Sequence, residues 1–155
     1  IAEKTTIIPT SFGTVFKDQE ILEIVLSKSY QAVKQTLALI DGKIELGLKV
    51  VKQRKSEISV DLKNKSFSNN ELDEVNNGVA MEILQSLEKL SVKNVKGDNF
   101  SDRLLLNHSF LVEKNIFSKF SNKIAELEGK HKDLKFIYTG PWPTYSFVNI
   151  KISGS

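Results

Sequence analysis

The sequence predicts an α+β sandwich of βαββαβ order, ferredoxin-like in topology, with an extra N-terminal helix and an extended C-terminal tail. Three observations carry that prediction. Residues 43–50 alternate strictly, with Ile44, Leu46, Leu48 and Val50 on one side of a strand and Lys43, Glu45, Gly47 and Lys49 on the other. Two later segments carry apolar residues at helical spacing. Between them Leu104 to Val112 is apolar nearly throughout, as in a central strand. From residue 43 onward the order is strand, helix, weak strand, strand, helix, strand, and two such halves place both helices over one sheet face.

Residues 1–16 begin extended. Pro9 excludes a central strand position, so the segment is predicted to be an edge leading into a turn at Gly13. Asp18 is the expected N-cap of a helix from about 18 to 40. Leu22, Leu26, Tyr30, Val33, Leu37 and Ile40 share one face of it, and Asp41-Gly42 ends it. A second alternating run, Ile58, Val60 and Leu62, offers a hairpin partner for the first strand, and 64–70 reads as a polar loop. A helix from about 70 to 90 carries Leu72, Val75, Val79, Ile83, Leu87 and Leu90. Gly78 inside it costs roughly 1 kcal/mol relative to Ala, so a packing reason is expected there.

Residues 92–97 form a weak strand and Gly97-Asp98-Asn99 a turn. A helix from about 116 to 130 bears Phe117, Phe120, Ile124 and Leu127 and stops at Gly129. Leu134, Phe136 and Tyr138 alternate in the last strand, and an apolar stretch runs from Tyr145 to Ile152. The organisation is therefore read as an N-terminal segment and helix over 1–42 and a sandwich domain with its tail over 43–155.

The 155 residues are 40% hydrophobic and 26% charged, ordinary for a globular protein. A chain of this length buries roughly 70% of its unfolded surface without a disulfide or metal staple. The absence of cysteine removes thiolate metal sites and cysteine nucleophiles, and is compatible with a reducing cytosol. Net charge is only +3, from 22 basic and 19 acidic residues, too little to make nucleic acid the default partner. Lys49, Lys52, Arg54 and Lys55 gather at a strand end, where they read as a solvated turn rather than an anion site. No apolar run approaches the ~20 residues of a membrane span. The first residue is Ile1 rather than Met, so part of the protein is expected to lie outside this sequence.

Chemistry is sparse. His108 shares the parity of Leu106 and Phe110, which makes it a core or sheet-face histidine rather than a base. His131 falls at a helix end, where a cation suits the dipole. Neither belongs to an HExxH pair, and no GxGxxG, GxxxxGK[ST] or GxSxG motif occurs, so no metal, cofactor or catalytic set is expected. Paired carboxylates such as Asp73/Glu74 and Glu126/Glu128 lie on polar helix faces. The RNA-recognition pattern fails too, because the strand LLLNHSFLV has one aromatic and no basic-glycine pair. A small-ligand or nucleic-acid binding module remains the alternative function.

The unusual segment is Tyr138-Thr139-Gly140-Pro141-Trp142-Pro143-Thr144-Tyr145-Ser146-Phe147-Val148. It holds two of the three prolines and the only tryptophan. Prolines on both sides stiffen Trp142, so aromatic anchors are presented at little entropic cost. Tyr138, Pro141, Trp142, Pro143, Tyr145 and Phe147 are the candidate partner-binding residues; the competing expectation is that Trp142 caps the core.

This run closely resembles the C-terminal hallmark of the gas vesicle L/F protein family. IIPTSFGTVF, DGKIELGLKV and LLLNHSFLVEKN resemble three further family segments in the same order, so the likeness spans residues 7 to 148. Thr144 and Ser11 depart from it, where a proline and an arginine are common, and Gly78 to Glu82 only loosely echo a helix signature. Family members usually carry an additional N-terminal α+β domain, for which the segment before Pro9 is too short. The resemblance implies a cytoplasmic, non-catalytic accessory factor associated with gas vesicles. Such a factor would bind the small hydrophobic shell protein and other accessory proteins during nucleation. For such cargo, an apolar groove or an exposed strand edge is the expected device.

Overall fold

The computed structural model describes residues 5–10, 14–53 and 69–150, with side chains in the last stretch from Glu74 onward. The expected turn at Gly13, the Ile58–Leu62 run, Arg54, Lys55 and Leu72 lie outside the described positions or side chains. Three helices and four strands are described: α1 (Gln19–Ile40), β1 (Lys43–Lys52), α2 (Asn69–Glu88), β2 (Lys93–Lys96), β3 (Leu104–Glu113), α3 (Phe117–Lys130) and β4 (Leu134–Trp142).

Caps set the ends of α1. The Asp18 carboxylate accepts from the Ile21 N–H at 2.9 Å, satisfying one orphan donor of the first turn. At the other end Gly42 adopts φ +67°, a left-handed turn that a side chain disfavours. Asn69 and Asn70, expected in a polar loop, open α2 instead. The third helix is preceded by a short 3-10 turn at Lys114–Ile116, and it runs through Gly129 to Lys130 rather than stopping at the glycine.

The strands form one antiparallel sheet in the order β2-β3-β1-β4, so β1 and β3 are central. One face carries Leu46, Leu48, Val50, Leu106, Phe110, Val112 and Leu134. It packs on Ile83 and Leu87 of α2 and on Phe120, Ile124 and Leu127 of α3. Phe110 and Phe120 meet at 5.4 Å between ring centroids and 57° between planes, the tilted geometry that aromatic quadrupoles favour.

The other sheet face is covered only in part by described residues. Leu111 is sealed by Ile40 from the end of α1 and by Phe147 from the tail, with Ile8, Leu39, Val95 and Val148 around them. This corrects the expectation for α1. Its six aligned apolar residues do not form a continuous buried stripe: only Ile40 is fully buried, and Leu26 and Tyr30 are exposed. Gly78 also departs from expectation, because a Cβ there would meet nothing within 4 Å.

Candidate functional site

The proline-aromatic segment leaves β4 at its end, and the way it is fastened decides which of its residues are free. Register shifts between Glu45 and Gly47, where β1 pairs with β4, and Gly140 sits at that irregularity with φ +113°. A side chain at 140 would put its Cβ 2.8 Å from the Glu45 carbonyl oxygen, so the crossing requires glycine. The Gly140–Pro141 peptide is cis. The chain then turns at Tyr145–Phe147 in one 3-10 turn, closed by the Phe147 N–H donating to the Thr144 carbonyl at 3.1 Å.

Glu45 anchors that turn. Alternation along β1 places it on the face opposite α2 and α3, and there it is buried, with 6% of its surface exposed. One carboxylate oxygen accepts the Ser146 N–H at 2.9 Å and the other accepts the Ser146 hydroxyl at 2.5 Å. The Ser109 hydroxyl on β3 lies 3.3 Å from the same serine. Phe147 follows with 6% exposure and completes the small core around Leu111. Glu45 and Ser146 were not among the candidates from sequence. The available signal was the Gly42-Lys43-Ile44-Glu45 run, where an acidic residue stands within the first of the matched strands.

The six candidate residues divide into two groups. Tyr138 belongs to the helix side of the sheet, half-buried, with its hydroxyl 2.9 Å from that of Ser121 on α3. Burial raises its phenol pKa above the ordinary value, and the Ser121 hydrogen bond opposes that shift. Tyr138 and Phe147 are thus packed, while Pro141, Trp142, Pro143 and Tyr145 are exposed. Trp142 is 53% exposed and Tyr145 57% exposed, so the tryptophan does not cap the core.

The two exposed aromatics border different hollows on the face opposite α2 and α3. Tyr145 lines an apolar groove of about 410 Å³ between α1 and the two extended segments, with Ile8, Phe16, Leu22, Leu26 and Val148. Trp142 lines a smaller one of about 240 Å³ over the sheet, with Gly47, Lys49, Asn107, Ile137 and Thr139.

The histidines are placed differently from each other. His108 is buried on the helix side, as its parity predicts, and its Nδ1 has no hydrogen-bond partner among the described residues. Desolvation holds its pKa below the ordinary value; nearby Lys96 acts in the same direction, and Glu88 opposes it. A cleft of about 580 Å³ borders it, walled by Asn76, Asn77, Lys96, Asn99 and Asp102. No described carboxylate hydrogen-bonds to the ring, so it lacks the orienting partner of a general base. His131, expected at an exposed helix end, is half-buried, and its Nε2 has no hydrogen-bond partner among the described residues. Among the described residues no group of three His, Asp or Glu could hold a metal ion. No described helix is long and apolar enough to cross a membrane. Lys49 stands 5.0 Å over the Phe100 ring, and the Lys52 backbone carbonyl accepts from the Arg103 guanidinium.

The arrangement defines an α+β protein whose sheet is locked by its own C-terminal segment while two aromatics of that segment face outward. Comparison with known proteins places it. The family model for the gas vesicle synthesis protein GvpL/GvpF matches residues 1–69 and 60–149, and the chain belongs to that family. It is 36% identical over 94% of its length to gas vesicle protein F2 of Halobacterium salinarum, covering 60% of that protein. It is 32% identical over 95% of its length to gas vesicle protein F of Haloferax mediterranei, covering 62%. The chain therefore spans about three fifths of these relatives. The fold is similar to the crystal structure of GvpF from Anabaena, with TM-score 0.77 and 20% identity. That match covers 94% of this chain and 68% of the other. GvpF from Microcystis aeruginosa gives TM-score 0.74 and 17% identity, covering 96% and 72%.

Proposed function

We propose that this chain is a non-catalytic accessory factor for gas vesicle assembly. It binds the hydrophobic shell protein, alone or with other vesicle accessory proteins, in the cytoplasm and in association with the vesicle. Family membership supports the role in gas vesicle formation. The observation that carries the binding reading is the exposure of Trp142 and Tyr145 on a segment that Glu45 and Phe147 hold fast. Large aromatics on a pre-ordered backbone lose little entropy when a partner covers them, which is why they dominate binding hot spots. Pro141, Trp142, Pro143 and Tyr145 form the contact in this reading, with Tyr138 and Phe147 as its foundation.

Two organisational readings go with it. The strand order β2-β3-β1-β4, with both following helices on one face, supports a ferredoxin-like sandwich over 43–155. Residues 1–42 then form an N-terminal segment and helix docked on the opposite face through Ile8, Leu39 and Ile40. The test is a pulldown with the tagged chain and the solubilised major shell protein of gas vesicles. Retention of the shell protein is expected, and a chain that is folded and retains none of it contradicts the proposal.

A further inference from the structure

The register decides which backbone groups of β4 face outward. The Lys114 N–H donates to the Gly42 carbonyl at 3.0 Å, and the register continues that series through Ile44/Val112, Leu46/Phe110 and Leu48/His108. Even residues of β1 therefore bond β3, leaving the odd ones for β4. Gly47, Lys49 and Val51 face Thr139, Ile137 and Lys135, and the Gln53 N–H donates to the Asp133 carbonyl at 3.4 Å in the same series. The N–H and C=O of Phe136 and Tyr138 consequently point away from the sheet, and no described residue hydrogen-bonds to them.

Long free edges are usually blunted by shortness, charge, proline or a bulge. The opposite edge, β2, has four residues. By contrast β4 has nine, with Lys135 near one end and Gly140-Pro141 at the other. No described residue covers its middle. It is also held rigid, since Phe136 and Tyr138 pack on the helix-side core and Tyr138 is tied to Ser121. On the open face Ile137 is 39% exposed, two residues from Lys135. The paired stretches 45–52 and 134–142 contain Lys49, Lys52 and Lys135, and their one carboxylate, Glu45, is buried and taken by Ser146.

We propose that the outer edge of β4 at Phe136–Tyr138 is a strand-addition site, taking an extended segment of the shell subunit as a fifth strand. The charge pattern specifies the occupant: on the open face it carries an apolar residue beside Ile137 and, two residues away, a carboxylate beside Lys135. Main-chain hydrogen bonds supply affinity in this mode, and alternate side chains supply selectivity. The proposal rests on the reading that the chain binds the shell protein, and says how.

The experiment is amide hydrogen exchange on the whole chain, with and without the solubilised major shell protein. The Phe136 and Tyr138 amides are expected to exchange freely in the free chain and to be protected at least about tenfold in the complex, on the order of one net hydrogen bond. In parallel, Phe136→Pro, which deletes the outward N–H, is expected to weaken capture by about a further fivefold beyond Phe136→Ala. A complex in which these two amides still exchange freely overturns the edge and leaves the assembly reading standing. Protection that grows with the concentration of the chain alone makes a second copy the occupant and overturns it as well. No complex at all sinks both.

Discussion

Glu45 holds the C-terminal segment with both carboxylate oxygens, so its removal releases two hydrogen bonds to a charged acceptor at once. Such bonds contribute about 1.5–3 kcal/mol each, with strong non-additivity when they share one acceptor. Glu45→Ala is expected to lower unfolding stability by about 2–3 kcal/mol. Urea denaturation checks this, and a loss under about 0.5 kcal/mol, the size of an ordinary surface substitution, would contradict the anchoring role. His108 makes a second residue-scale test. Its folded pKa lies below the unfolded value of about 6.5, so the unfolded chain takes up the proton first. Its contribution to stability is therefore full above about pH 6.5 and is lost as pH falls through that value toward the folded pKa. Between pH 7.5 and 5 the denaturation midpoint should fall more steeply for the native chain than for His108→Leu; parallel curves would refute burial as the cause. The burial of His108 was legible from parity with Leu106 and Phe110. The burial of Glu45 was not, because alternation marks a second face without saying whether another element covers it.

At the scale of elements, α2 has a simple liability. Gly78 occupies the interior of the helix, and nothing lies where its Cβ would stand. Gly78→Ala should therefore raise stability by about 1 kcal/mol through backbone entropy alone. Thermal unfolding reads this directly, and a lowered midpoint would point to a constraint on Gly78 other than packing. The helix was readable from Val79, Ile83 and Leu87, because period and burial agree there. The first helix was readable in extent, from Asp18 to Ile40, but not in packing. Periodicity shows which face is apolar, whereas the coverage of that face depends on Ile8, Phe147 and Val148, remote in the chain.

At the scale of the whole molecule, β1 and β3 are central, with the four-residue β2 and the nine-residue β4 at the edges. Strand and helix types were legible from period; the bend that returns the tail across β1 was not, since it depends on the bulge at Glu45 and Gly47 meeting Gly140. The tail is consequently divided between packing and exposure, one residue at a time. Tyr138 and Phe147 lock it, and Trp142 and Tyr145 are left outside. The most direct test of that division is a titration of solubilised shell protein with the native chain and with Trp142→Ala/Tyr145→Ala, each first shown to be folded by its denaturation midpoint. The expected result is an unchanged midpoint with affinity weakened at least about tenfold, as for loss of two aromatic anchors. A folded double variant that binds the shell protein as tightly as the native chain would contradict the account.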